Sequence, residues 1–165
     1  MARFTLKGNP FTTVGELPKV GAKAPAFSLV KGDLSPLASS AYAGKRVVLN
    51  IFPSIDTSTC ATSVRTFNKR AAEAADSAVV CVSMDLPFAL SRFCGAEGID
   101  RVAAASAFRS SFGKDFGLLI ADGPLQGLLA RSVIVLDTNG VVRHAELVPE
   151  VANEPDYAKA LAAAK

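Results

Sequence analysis

The stretch Arg46-Val47-Val48-Leu49-Asn50-Ile51-Phe52-Pro53-Ser54-Ile55-Asp56-Thr57-Ser58-Thr59-Cys60 decides the fold. Residues 46–52 are apolar or β-branched at nearly every position, the pattern of a strand covered on both faces by helices. Pro53, which cannot donate to a ladder, ends it. After Cys60, Ala61, Val64, Phe67, Asn68, Ala71, Ala72 and Ala75 recur at helical spacing, with Arg65, Lys69, Arg70 and Glu73 mostly between them. This pattern predicts an amphipathic helix. A second apolar run, Ser77-Ala78-Val79-Val80-Cys81-Val82-Ser83-Met84, follows it. Strand, helix, strand is a βαβ unit, whose right-handed crossover sets the two strands parallel.

Phe4-Thr5-Leu6 and Phe11-Thr12-Thr13-Val14 alternate apolar and polar residues around Gly8-Asn9-Pro10. They predict a β-hairpin, an extension over residues 1–17 at the edge of a single domain spanning 1–165. Phe27-Ser28-Leu29-Val30 reads as a short strand, and Leu34-Ser35-Pro36-Leu37 leads toward the central one. Pro87 opens a helix through Phe88, Leu90, Ser91, Phe93 and Cys94, with Gly95 placed to close it. Val102-Ala103-Ala104-Ala105-Ser106 is a further short strand, and residues 108–127 are expected to be irregular with a helical turn. Ser132-Val133-Ile134-Val135-Leu136 and residues 141–147 flank Asp137-Thr138-Asn139-Gly140, a hairpin in which Asn-Gly supplies the turn. Asn153 is placed to cap a last helix containing Pro155, Tyr157, Ala160 and Leu161. The whole is an α/β sandwich.

At 165 residues, half of them hydrophobic, the chain can bury a core without disulfide staples. Its net charge of +3 comes from 18 basic and 15 acidic residues that are scattered rather than blocked, so neither nucleic acid nor a membrane is indicated as a partner. The opening Met1-Ala2-Arg3-Phe4-Thr5-Leu6-Lys7-Gly8 lacks the apolar core of a secretory signal, and the expected location is cytoplasmic. The three cysteines are too few for a disulfide scaffold and fit redox chemistry better. With one histidine, His144, and no phosphate-binding glycine motif, no metal site and no cofactor are expected. His144 reads as surface or interface, and Cys81, inside Val79-Val80-Cys81-Val82, as buried and dispensable.

Taken alone, a cysteine near a helix start is more often a small buried hydrophobe than a reactive group. Here the unpaired N–H groups of the first turn and the positive end of the helix dipole both favour thiolate. Making an ordinary thiol mostly ionised at neutral pH takes about 2.7 kcal/mol, whereas a helix end supplies about 0.3–1 kcal/mol. A nearby cation is therefore required; Arg131, just before an apolar strand, reads taken alone as a solvated strand end.

A proline, a threonine four places on and a cysteine three further resemble the peroxiredoxin active-site signature, which Pro53, Thr57 and Cys60 match position for position. Asp85-Leu86-Pro87-Phe88-Ala89, Arg92-Phe93-Cys94-Gly95-Ala96-Glu97-Gly98, Ala130-Arg131-Ser132-Val133 and Glu146-Leu147-Val148-Pro149-Glu150 are similar to the bacterial thiol peroxidase subfamily in particular, over almost the whole chain. The resemblance implies a thioredoxin-like fold with a central mixed sheet. It makes Cys60 the peroxidatic cysteine, Cys94 the resolving cysteine of an intramolecular disulfide, and Thr57, Pro53 and Arg131 parts of the peroxide pocket. It further implies a hydroperoxide substrate, thioredoxin as reductant, and a homodimer. Two other readings stay open on the sequence: a peroxide sensor using the same cysteines without sustained turnover, and a disulfide oxidoreductase. The last is disfavoured because Ala61, Thr62 and Ser63 follow Cys60, with no Cys-X-X-Cys partner.

Overall fold

In the computed structural model, which describes residues 1–165, strands β1 (Arg3–Leu6) and β2 (Asn9–Thr12) form an antiparallel hairpin outside the main sheet. There follow β3 (Ser28–Lys31), β4 (Pro36–Ala38), β5 (Arg46–Ile51), helix α1 (Ser58–Arg70), β6 (Ser77–Ser83), helix α2 (Pro87–Glu97) and β7 (Ala103–Ser106). The single-turn α3 (Phe112–Asp115), β8 (Ser132–Leu136), β9 (Val142–Leu147) and helix α4 (Tyr157–Ala163) complete the chain. Seven strands make one mixed sheet in the order β4-β3-β7-β6-β5-β8-β9. β5 and β6 are parallel, as are β6 and β7, while β8 runs antiparallel to β5 with Leu49 opposite Ile134.

Alternation along β5 divides the core. Val47, Leu49 and Ile51 point to one face, where they join Val80, Val82, Ile134, Phe27, Phe112 and Phe116. Val48 and Phe52 point to the other, where Cys60, Ala61, Val64 and Phe67 of α1, Leu90 and Phe93 of α2 and Ala160 and Leu161 of α4 cover them. Burying each of the large side chains contributes about 1.5–3 kcal/mol, so the apolar stripe of α1 alone is enough to fix that helix on the sheet. Helices cover only one face of β5. On the other, the single turn α3 and the irregular chain around Leu118 and Leu129 fill the space, so the expectation of helices on both faces holds for one.

The βαβ unit, the N-terminal hairpin, the short strand at 103–106 and the β8–β9 hairpin form as the sequence predicts, and β4 joins them as an edge strand. Four local expectations are corrected. α2 runs through Gly95 and closes at Gly98, whose φ of 65° is the left-handed conformation a helix stop requires. α1 ends at Arg70, and residues Ala71–Ala74 tighten into a 3-10 turn. The β8–β9 turn is not an Asn-Gly pair in its central positions. Gly140 N–H donates to Asp137 O at 3.0 Å and only Gly140, at φ 76°, is left-handed, so the glycine follows the turn. The cap of α4 is Asp156, whose carboxylate accepts from Lys159 N–H, rather than Asn153, and Pro155 lies before the helix.

Candidate active site

The site begins where β5 stops. Thr57 N–H and the Thr57 hydroxyl both donate to Ser54 O, each at 3.2 Å, which turns the chain back on itself after Pro53. Thr57 then caps α1: its Oγ1 accepts from Cys60 N–H at 3.3 Å. Cys60 is thereby the third residue of the helix, its side chain fully buried between α1 and the sheet. The turn is clamped from below by Asp85, at the carboxyl end of β6. Its carboxylate accepts from Ser54 Oγ at 2.8 Å, Ile55 N–H at 2.7 Å and Ser83 Oγ at 2.5 Å. One side chain thus ties the loop before α1 to the loop before α2.

Arg131 reaches the thiol from β8. Its backbone immediately precedes Ser132, and antiparallel pairing of Ser132 with Ile51 brings the end of β8 beside the end of β5. The guanidinium is 3 % exposed; Nη2 lies 3.3 Å from Cys60 Sγ and Nε donates to Val151 O at 2.8 Å. Nη1 is buried with no acceptor. The neighbouring carbonyl, Ala152 O, accepts from Thr59 Oγ1 at 3.1 Å, so the segment after β9 straps both the arginine and the first turn of α1. A buried thiol sulfur, a permanent cation and an unspent N–H donor converge within one small volume. This arrangement sets a fixed positive charge against the sulfur and leaves a donor free for an incoming oxygen.

The other two cysteines have different surroundings. Cys81 is fully buried in β6, and burial pushes its thiol up to about 12; Asn50 Nδ2 lies 3.6 Å from its sulfur. The same Asn50 donates to Ser63 Oγ at 3.1 Å, and Ser63 donates to Cys60 O at 2.7 Å. Cys94 is half-buried in the last turn of α2, and burial raises its thiol as well. All three cysteines are free. Two ion pairs bind α2 to the Cys60 side on either side of Cys94: Arg92 to Asp56 at 2.9 Å, and Arg65 in a two-pronged contact with Glu97 at 2.8 and 3.0 Å. The Arg65 guanidinium also lies over the Phe93 ring, 5.5 Å from its centre.

The structure therefore brings Thr57, Cys60 and Arg131 together, sets Pro53 at the start of their loop, and places Cys94 on the facing helix. Sequence reading missed Asp85, although an acidic residue at the carboxyl end of a parallel strand is a signal for that edge. It also missed Val151, whose contribution is a carbonyl that carries no residue-type signal. His144 proves half-buried, with Nε2 enclosed and unpartnered, rather than a surface residue. A polar hollow of about 240 Å³ lies beside the α1 start, lined by Ser58, Thr59, Thr62, Ala152, Asn153 and Glu154. A cleft of about 480 Å³ lies instead at the amino end of β5, between Lys23, Phe27, Tyr42, Lys45 and Asp137; none of its lining residues is a cysteine, and the chemistry is elsewhere.

Comparison with known proteins agrees with this geometry. The Redoxin family matches residues 19–161. The chain is 61% identical over 163 residues to a thiol peroxidase of Mycobacterium tuberculosis, covering 99% of this chain and 98% of that one. It is 54% identical to a thiol peroxidase of Corynebacterium glutamicum, covering 99% of each. A crystal structure of a peroxiredoxin-like protein from Aquifex aeolicus superimposes with a TM-score of 0.94 at 39% identity, over 99% of this chain and 96% of the other. The fold is thus thioredoxin-like. No helix is long and apolar enough to cross a membrane. Sequence, fold and a cysteine capped by Thr57 beside Arg131 meet in one conclusion: the chain belongs to the redoxin family, as a peroxidase of the thiol peroxidase subfamily of peroxiredoxins.

Proposed function

We propose that this protein reduces hydroperoxides at Cys60 and is recycled through a Cys60–Cys94 disulfide by thioredoxin, in antioxidant defence. The observation that carries the reading is the 3.3 Å contact between Arg131 Nη2 and the enclosed Cys60 sulfur. The thiolate attacks the terminal peroxide oxygen. The S–O bond forms as the O–O bond breaks, the departing oxygen takes a proton and leaves as water or alcohol, and the sulfur becomes a sulfenic acid. Charge moves from sulfur to the departing oxygen, and the free Nη1 donor of Arg131 is the group available to stabilise it. The proton of the Thr57 hydroxyl is committed to Ser54 O, so toward the pocket Thr57 offers lone pairs. It therefore accepts from the peroxide O–H and orients it. Pro53 shapes the loop and shields the sulfenic acid from water.

The Cys94 thiolate then attacks the sulfenic sulfur; the S–S bond forms as the S–O bond breaks, and the departing hydroxide takes a proton, the one lost by the Cys94 thiol, and leaves as water. Both thiols sit in formed helices, and both helices locally unwind during turnover to bring the sulfurs to bonding distance. A dithiol reductant of the thioredoxin type exchanges with the disulfide and restores both thiols. No bound cofactor enters these steps. We further propose a single domain over residues 1–165 with 1–17 as its hairpin extension, a homodimeric assembly and a cytoplasmic location. The test is NADPH consumption with thioredoxin, thioredoxin reductase and hydrogen or cumene hydroperoxide. Turnover should vanish in Cys60→Ser, while Cys94→Ser should be oxidised once and fail to recycle. Wild-type Cys60 oxidation without turnover would overturn the thioredoxin step.

A further inference from the structure

We propose that Glu150 is a positioning residue through which the N-terminal hairpin holds the Arg131 guanidinium against Cys60; this rests on the reading that Arg131 serves the Cys60 chemistry. Arg131 forms no ion pair; its only acceptors are Cys60 Sγ and Val151 O. Its aim thus depends on one carbonyl in a segment that belongs to no helix or strand. That segment is fixed from outside, by β1. Thr5 N–H donates to Pro149 O at 2.7 Å and Val151 N–H donates to Thr5 O at 2.9 Å, bracketing Glu150 on both sides.

The Glu150 carboxylate completes the attachment. It accepts from the Thr5 hydroxyl, from Lys7 N–H at 2.6 Å and from Gly8 N–H at 3.5 Å. Lys7 and Gly8 both have left-handed backbones, with φ of 51° and 79°, and this turn points successive N–H groups at one anion. The left-handed conformation is unfavourable at Lys7, so the carboxylate also holds the hairpin turn in shape. Beneath it Phe4, Ile120, Ala130 and Val151 form a separate buried cluster. Its members Ala130 and Val151 flank Arg131 in sequence and at its Nε contact respectively. Loosening β1 therefore displaces the carbonyl that aims the guanidinium and, through Ala152 O, the Thr59 tether on α1.

The experiment follows Cys60 ionisation by thiolate absorbance in the full chain carrying Cys94→Ser; Cys81, at about 12, stays silent over the working range. Near Arg131 the other titratable group is Tyr157, which burial raises and which accordingly also stays neutral. Glu150→Gln and Thr5→Val should each shift the Cys60 midpoint upward and slow its oxidation by hydrogen peroxide about three- to tenfold, with the far-ultraviolet spectrum unchanged. In an Arg131→Met background the same substitutions should shift nothing, because the group they aim is gone. An unmoved midpoint in both variants, or an equal shift without Arg131, overturns the proposal. Should Glu150→Gln fail to fold, Thr5→Val, which removes one hydroxyl, carries the comparison. Wild-type Cys60 reacting with peroxide no faster than free cysteine would instead defeat the peroxidase reading and leave the ionisation test standing.

Discussion

Arg131 is asked to do three things with one side chain: bind a carbonyl, contact a sulfur and keep a donor free. A lysine retains the charge but has a single nitrogen and cannot hold Val151 O and Cys60 Sγ in fixed geometry together. Arg131→Lys should lower the rate of Cys60 oxidation about a hundredfold while leaving Cys60 the oxidised residue, as rapid-quench mass spectrometry of the sulfenic acid will show. Cys81 makes the opposite case. Cys81→Ala should cost about 1–2 kcal/mol in urea unfolding, through a small cavity and a lost contact to Asn50, and leave peroxidase turnover intact. At this scale the sequence was informative where side chains meet: it picked out Pro53, Thr57, Cys60 and Arg131, and the last three are in contact in the fold. It was silent where the backbone makes the contact, as at Val151 O, because any residue but one with an unsuitable shape supplies a carbonyl.

In the cycle proposed above, helix α2 is the element whose stability sets the second half. Gly98 N–H and Ile99 N–H both donate to Cys94 O, so the bonds that close the helix end on the residue proposed to resolve Cys60. Gly98→Ala strains the left-handed closure by about 1 kcal/mol, and should hasten Cys60–Cys94 bond formation roughly fivefold while slightly lowering thermal stability. Stopped reactions trapped with a thiol-blocking reagent measure that rate. The pH dependence has a definite sign. Burial raises the Cys94 thiol in the folded helix, so the helical form is fully favoured below the ordinary thiol value of about 8.5 and loses ground as pH rises through the folded value. Disulfide formation should therefore accelerate above about pH 8.5 by a route separate from Cys60 ionisation. The misplaced end of this helix has a simple cause. Gly95 and Gly98 are both glycines, and only the backbone angle tells a tolerated interior glycine from a stop. Likewise Asn153 and Asp156 are both good caps, but Asn153 is taken up in a turn, its N–H donating to Glu150 O, and the helix begins only after Asp156.

In the molecule as a whole, the carboxylates that hold turns, a helix cap and the N-terminal hairpin share one pH signature. Asp137 is lowered chiefly by the N–H of Val141, Glu150 by the Thr5 hydroxyl and Asp156 by the N–H of Lys159. Each binds its proton less readily folded than unfolded. Their stabilisation is complete above the ordinary carboxyl range and is lost as pH falls through the lower folded values, so acid unfolding should set in below about pH 4. Glu150→Gln should flatten that acid slope in circular dichroism titrations. The overall architecture was readable because the runs at 46–52, 77–84 and 132–136 are apolar at nearly every position, and burial on both faces leaves them no alternative. The filling of the second face was not, since α3 is one turn and its neighbours carry no period. One consequence concerns labelling. Cys60 has no exposed surface, whereas Cys94 is partly open. A bulky maleimide should consequently mark Cys94 first and Cys60 last, whereas a molecule as small as hydrogen peroxide is expected to prefer Cys60: the fold admits by size before it reacts by charge.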